Sequence, residues 1–540
     1  MRLICARTVV QDGTISFEEF YGNITPNYAI LSHTWSHLQE VAYAECNSSS
    51  SKSKLGLAKI HNACILALRD GIEYVWVDTC CIDKSSSAEL TEAINSMFAW
   101  YQNATICFVY LSDLADVGSL ESCRWFRRGW TLQELIAPRY LKFFDRTWNY
   151  IGSKGTLATR LSEITSIDID VLNHKAPLSS ICVAKRFSWA ANRETTRSED
   201  TAYCLLGIFN INMPLLYGEG QGAFRRLQEE IVQSVYDLSL LAWRPSESMS
   251  GDFCGFFAES VKDFSSCSSM YSVTDFQFDE GEMEVTNKGL KLRTPEYILA
   301  YDDFRYRYAL KLNCMVPGHS EDFLTVPMRK LGPNTFIRAR ALDEVASFDL
   351  QPVLFEENEL RTITLLTKLP TASVPRALNI VSSSRHTLVQ IELPPQIRQD
   401  GIDESPLKCW DVEDCAFFGN QGSLQNWGAI QFGKQLMFLC FWRRLPNLDW
   451  TFEGTLLTTA DKGFDELSRH LFLFAEEFGY QAPTVADLYN DLCCGREHIT
   501  SVRSKVESKW NRTWFRTQRV DDLSMCSGPR WRVQICMGRG

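Results

Sequence analysis

Four short apolar runs, separated by helical stretches, set what the first 145 residues can fold into. They lie at 28–32 (YAILS), 74–78 (YVWVD), 105–111 (TICFVYL) and 141–144 (LKFF). Between the first two, residues 56–70 place Leu57, Ile60, Cys64, Ala67 and Leu68 on one helical stripe. Between the next two, Ser86 and Glu89 form a capping box that opens a second helix, with Leu90, Ile94, Met97, Phe98 and Tyr101 at helical spacing. Continuous apolar strands alternating with helices predict a parallel sheet covered on both faces. In such sheets ligands collect outside the carboxyl ends of the strands. Here those ends carry Ser32-His33-Thr34-Trp35, Asp78-Thr79-Cys80 and Ser112-Asp113. The same residue types also cap helices and close turns, so both readings stand.

The segment at 127–138, RRGWTLQELIAP, places one carboxylate, Glu134, among aromatic and apolar neighbours. It reads as one helix, on which Trp130 and Glu134, at i and i+4, share a face. A carboxylate held beside an indole and away from water has a raised pKa, as a general base or an electrostatic stabiliser requires. The structural alternative is a buried Glu134 paired with Arg124, Arg127 or Arg128.

A length of 540 residues predicts two or three domains. The net charge of −11 gives no reason to expect nucleic-acid or anionic-membrane binding. No apolar run approaches the roughly 20 residues of a membrane span, and the N-terminus has no secretory h-region. The 19 cysteines contain no C-x-x-C pair, and the histidines form no ligand spacing, so reduced thiols, no metal and a cytoplasmic location are expected.

The expected organisation is an α/β core at 1–150, a helical part at 151–243, a transition at 244–285, a β-rich domain at 286–460 and a helical segment at 461–540. Helices are expected at 184–192, 199–209 and 222–236, and later at 461–478 and 499–510. Gly218, Gly220 and Gly222 form either an anion-binding loop or a tight turn. The polar run 193–200 is either a ligand-facing loop or a solvated cap. No phosphate-binding G-x-x-x-x-G-K loop and no G-x-G-x-x-G fingerprint is present, which excludes an ordinary NAD-dependent oxidoreductase.

Five ordered blocks carry a family resemblance: YAILSHTW at 28–35, EVAYAE at 40–45, residues 56–113, CRWFRRGWTLQELIAP at 123–138, and 197–231. Together they resemble the fungal heterokaryon incompatibility (HET) domain, and most of all the vegetative incompatibility proteins. Two positions depart from the family's habit: Ser36 stands where Gly is frequent, and Lys84 where Gln is frequent. The resemblance implies a role in non-self recognition and regulated cell death, protein partners in that pathway, and a possible homo-oligomer.

HET domains in turn look similar to Toll/interleukin-1 receptor (TIR) domains, which implies a TIR-like, flavodoxin-like parallel sheet with a helical extension, followed by the β-rich domain. The resemblance of GWTLQEL to a TIR helix motif makes Glu134 the catalytic residue of a possible NAD glycohydrolase. Trp35 and Trp130 would then line the pocket, with Ser32, His33 and Asp78 facing the ribose and phosphates. NAD enters as a substrate, and no cofactor is expected. The competing expectation is a non-enzymatic signalling module that acts through the HET surface.

Overall fold

The computed structural model describes residues 1–245 apart from 22–24 and 47, then 253–272 and 281–294, and beyond these separate strands with short flanking stretches. The N-terminal part is built on one seven-stranded sheet. Its strands are β1 (Arg2–Cys5), β2 (Phe17–Glu19), β3 (Tyr28–His33), β4 (Tyr74–Trp76), β5 (Ile106–Tyr110), β6 (Leu141–Phe144) and β7 (Tyr150–Ser153), in the order β2-β1-β4-β3-β5-β6-β7. The four runs singled out in the sequence are the four parallel strands, β4-β3-β5-β6. Every residue of β3 is buried, as expected of a strand covered on both faces. Antiparallel β1 and β7 close the two sides of this parallel block.

The helices of this part are α1 (Ala6–Asp12), α2 (Leu55–Arg69), α3 (Ser87–Asn103), α4 (Arg124–Arg127) and α5 (Thr131–Ile136). The chain leaves β3 toward β4 on one side and then returns past β3 to β5 on the other. Right-handed crossovers in opposite directions put α2 and α3 on opposite faces of the sheet. Helix α1 packs on α2, while α5 packs on α3 and β3. The strand order therefore reverses between β3 and β5, the position at which open α/β sheets place their ligands.

Two local expectations change. The Ser86 hydroxyl does accept from Glu89 N at 3.3 Å, but the Glu89 carboxylate accepts from Asp83 N at 2.7 Å and pairs with Arg2 at 2.9 Å, so only half of the capping box forms. The single helix expected at 127–138 is broken. Arg128 is extended, Gly129 N donates to Glu194 O at 2.8 Å and Glu194 N donates to Arg127 O at 2.6 Å. A Cβ at Gly129 would lie 2.6 Å from Thr195 Cγ2, so glycine lets the distant loop dock there.

The helical part contains α6 (Ala158–Thr165), α7 (Ile169–Leu172), α8 (Val183–Ala191), α9 (Asp200–Tyr203), α10 (Leu206–Phe209) and α11 (Gly222–Ser234). The helix expected at 199–209 is thus two short ones. Residues 253–272, expected as part of a transition, pack tightly: Phe256 and Phe264 are fully buried, and Phe264 lies 4.7 Å from the Phe187 ring of α8. Their aromatic residues give the segment a core of its own to join.

The later described residues form sheets. The largest orders Glu282–Thr286, Gly289–Thr294, Arg361–Leu365, Thr335–Ala339, Thr325–Gly332, Arg307–Lys311 and Tyr297–Leu299. Its pairs are antiparallel except that Thr335–Ala339 runs parallel to Arg361–Leu365. The helices expected at 461–478 and 499–510 lie outside the described residues. Thr513–Val520 and Arg530–Met537, in the segment expected to be helical, are antiparallel strands. Their alternation of aromatic and β-branched residues with arginines fits a strand better than a helix.

Helices α3 and α10 meet where Gly207 lies against Phe98. A Cβ there would sit 2.1 Å from Phe98 Cβ, an atom that cannot swing away. Gly207→Ala is expected to destabilise the chain by about 1–3 kcal/mol through overpacking, read as a lowered thermal midpoint. A midpoint equal to wild type would show that the two helices are not in this contact.

Candidate functional site

Helix α5 is only six residues long, too short to persist alone. Two buried basic side chains hold it. At its start, Arg193 donates from Nη1 to Arg128 O at 3.0 Å and to Thr131 Oγ1 at 2.9 Å, and from Nε to Trp189 O at 3.2 Å. At its end, Lys154 donates from Nζ to Ile136 O at 3.0 Å and Pro138 O at 2.9 Å. Burial lowers the pKa of Lys154 to about 7 and that of Arg193 to about 10. Arg193 therefore belongs to a structural clasp and does not face a ligand.

This clasp aims Glu134 at the carboxyl end of β3. The Ser32 hydroxyl donates to Glu134 Oε2 at 2.5 Å, and Trp125 Nε1 donates to Ser32 Oγ at 2.8 Å. All three residues are buried, Glu134 at 6% exposure. Burial pushes the Glu134 carboxyl up to about 7, and the negative charge of Asp78 adds to the rise. The bond from Ser32, the charge of Arg128 and the Tyr101 hydroxyl oppose it. No arginine lies within ion-pair distance of Glu134 among the described residues.

Above this layer sit the other strand-end residues. His33 is buried between two carboxylates, with Nε2 3.4 Å from Glu40 Oε2 and Nδ1 4.0 Å from Asp78 Oδ1. Neither ring nitrogen makes an aligned hydrogen bond, and neither does Asp78 Oδ1. Burial would raise the Glu40 pKa, but His33 and Lys59 together hold it at about 2. Lys59 Nζ reaches Glu40 Oε1 at 2.5 Å and Thr34 O at 3.0 Å. Trp35 is 37% exposed and donates from Nε1 to Asp78 Oδ2 at 2.9 Å. Lys84 Nζ stands 3.7 Å and Arg128 Cζ 4.8 Å from the centre of its ring. Lys84, one of the two positions singled out in the sequence, thus lies against the exposed Trp35 ring. The other, Ser36, donates its backbone N–H to Glu40 Oε1 at 2.8 Å.

The fold therefore brings Ser32, His33, Trp35, Asp78 and Glu134 together. Trp130 goes elsewhere: the break at Gly129 turns its indole toward Asp200. The indole in the Glu134 network is Trp125, which the helical spacing did not single out. Glu40, Lys59 and Tyr101 also belong to the constellation, and no motif marked them. The glycine loop is a turn whose donors are already used, since Gly218 N and Gly220 N donate to Glu199 Oε1 at 2.8 and 3.1 Å.

Chemically, the site offers a near-neutral buried carboxyl below an exposed indole, with a histidine between two acids and cations at the rim. Among the described residues no cluster of three or more His, Cys, Asp or Glu is placed to hold a metal ion. Among the same residues no helix is long and apolar enough to cross a membrane.

Residues 28–122 match the family described as heterokaryon incompatibility protein (HET), and residues 222–254 match a domain of unknown function, DUF8212. The chain is similar to vegetative incompatibility protein HET-E-1 of Podospora anserina, with 47% identity over 219 residues. That match covers 38% of this chain and 16% of the relative, so the chain spans far less than two thirds of it. No solved structure matches the chain. The family match runs from β3 through α2, β4 and α3 to β5 and the residues just after it.

Two outcomes test the site. The Glu134 carboxyl holds its proton more tightly folded than unfolded. Between pH 4.5 and about 7 the folded state therefore loses stability as pH rises, and above that the penalty is constant. Its size is on the order of 3 kcal/mol. Glu134→Gln, which keeps the shape and removes the charge, should raise the thermal midpoint at pH 8 and leave it unchanged near pH 4.5. Equal midpoints at both pH values would contradict a buried, proton-holding Glu134. Arg193→Met should lower stability by about 3 kcal/mol at all pH values, because it strips charged hydrogen bonds from the start of α5. A denaturation midpoint like that of wild type would refute the clasp.

Proposed function

With a HET domain at residues 28–122 as premise, we propose that this chain is an effector of fungal non-self recognition, acting in vegetative incompatibility and regulated cell death. We further propose that the crevice at the carboxyl ends of β3 and β5 cleaves NAD between nicotinamide and ribose. The observation that carries this reading is the buried Glu134 carboxyl, hydrogen-bonded to Ser32 at the point where the strand order reverses. The parallel strands, counted in chain order, read second, first, third, fourth, as in flavodoxin-like sheets. That order supports the TIR-like reading.

In the proposed reaction the C1′–N bond breaks and its electron pair leaves with nicotinamide, which departs neutral. The ribose is left as an oxocarbenium ion, which the Glu134 carboxylate stabilises from close range. Water adds at C1′ and releases one proton. With a pKa of about 7, Glu134 is ionised in a large fraction of molecules at neutral pH, and substrate cations would increase that fraction. The Trp35 face would stack on a ring of the substrate, Lys84 and Arg128 would meet its phosphates, and His33 with Asp78 Oδ1 would meet ribose hydroxyls.

One observation favours a second reading, a non-enzymatic module that acts through the HET surface: Glu134 is 6% exposed and lies under Ser32 and Trp125. Catalysis on this reading requires the crevice to open over it. Partners in the pathway, self-association and a cytoplasmic site of action belong to both readings.

Expression in yeast of the wild-type chain and of Glu134→Ala and Trp35→Ala, at matched protein levels, separates the two. The hydrolase reading predicts that NAD falls before viability in the wild type and that both are spared in Glu134→Ala, with at least a tenfold slower NAD loss in Trp35→Ala. Cell death with NAD unchanged would sink the hydrolase and support the interaction module.

A further inference from the structure

Arg186, on α8, is a guanidinium buried without a counterion. It is 7% exposed, and among the described residues no carboxylate lies within ion-pair distance of it. Nη1 donates to Ile208 O at 3.2 Å, and the Phe209 ring lies 4.7 Å from Cζ. Nε is buried with no hydrogen-bond partner. The acid that acts on it at longer range, Asp237, has both oxygens committed: Oδ2 accepts from Val183 N at 2.8 Å and Oδ1 from Ser239 N at 2.9 Å. Unlike lysine, arginine does not escape burial by losing its proton. An uncompensated buried charge is costly unless something pairs with it.

Arg186 lines a groove of about 1150 Å³ between α3, α8, α10 and the start of β3. This groove is at the amino end of β3, where Asn27 and Tyr28 line it, so it lies at the opposite end of the strand from Ser32 and Glu134. Its wall from α3 mixes neutral polar residues, Ser96, Gln102 and Asn103 among them, with Phe98 and Trp100 and one acid, Glu92. The volume is slightly above the range typical of small-molecule sites.

We propose that this groove binds a small-molecule oxyanion, a phosphate or carboxylate group on a polar body, with Arg186 as the anchor. The groove-facing part of the guanidinium would donate to such a group, and a small shift of the side chain would bring the buried, unsatisfied Nε into the planar two-bond grip. The site is separate from the strand-end crevice and stands whether or not that crevice cleaves NAD. A ligand here would bridge the α/β core and the helical part, because α3 belongs to one and α8 and α10 to the other.

The test is calorimetric titration of the full chain with pyrophosphate and, separately, with citrate. Wild type should bind at least one of them saturably, with a Kd below about 1 mM. Arg186→Lys keeps the charge and loses the fork, and should weaken binding by about tenfold or more. Ser96→Trp fills the groove and leaves Arg186 in place, and should abolish binding, which keeps the test valid if the arginine variant does not fold. Lys84→Gln, beside Trp35 at the other end of β3, should leave the Arg186-dependent binding in place. Failure of the wild type to bind either anion overturns the proposal. So does a folded Arg186→Lys, or a folded Ser96→Trp, that binds like wild type. Binding lost in Lys84→Gln and kept in Arg186→Lys places the anion in the crevice and also overturns it.

Discussion

The arrangement depends on how a six-residue helix is held in place. Helix α5 cannot sustain itself by its own hydrogen bonds, and its two ends are held by Arg193 and Lys154, both from outside it. Lys154 sits at the carbonyl end, where a positive charge is favourable. Arg193 sits at the amino end, where it is not, and its position is set by hydrogen bonds to the Arg128 carbonyl and the Thr131 hydroxyl. The result is a rigid placement of Glu134 under β3. A carboxyl so placed is desolvated whatever its role, and its raised pKa follows from the clasp.

Around this fixed point the site is layered by polarity. The lowest layer, Glu134, Ser32 and Trp125, is dry and hydrogen-bonded. The middle layer sets His33 and Lys59 beside the carboxylates of Glu40 and Asp78, and Glu40 is held ionised by its two basic neighbours. The upper layer, Trp35 with Lys84 and Arg128, meets solvent. A ligand entering from above would meet cations first, then an indole, then polar atoms of His33 and Asp78 that make no aligned hydrogen bond. That order suits a molecule with anionic, aromatic and hydroxylated parts, and it makes the Lys84 position a natural place for relatives to differ in what they accept.

Much of this was legible in the sequence because it rests on local periodicity. The four parallel strands, α2, α3 and the strand-end residues Ser32, His33, Trp35 and Asp78 follow from apolar runs and the polar residues after them. What was not legible depends on contacts between distant residues. The break at Gly129 is made by Glu194 and Thr195, some 65 residues on, and it alone decides that Trp125 and not Trp130 joins the Glu134 network. Lys59 lies on the apolar face of α2 and reads as an exception there until Glu40 is placed beside it. The glycines at 218 and 220 have the composition of an anion loop, and the anion they hold is the chain's own Glu199.

The claim on which the account rests is that Glu134 is a buried carboxyl titrating near neutrality. Difference infrared spectroscopy of the wild type minus Glu134→Gln, followed across pH, reads the protonated carboxyl directly. The account predicts a carbonyl band of one acid group that disappears with a midpoint of about 7. A midpoint near the ordinary 4.5 would mean that Glu134 is solvated or ion-paired, and would contradict both the clasp and the proposed chemistry.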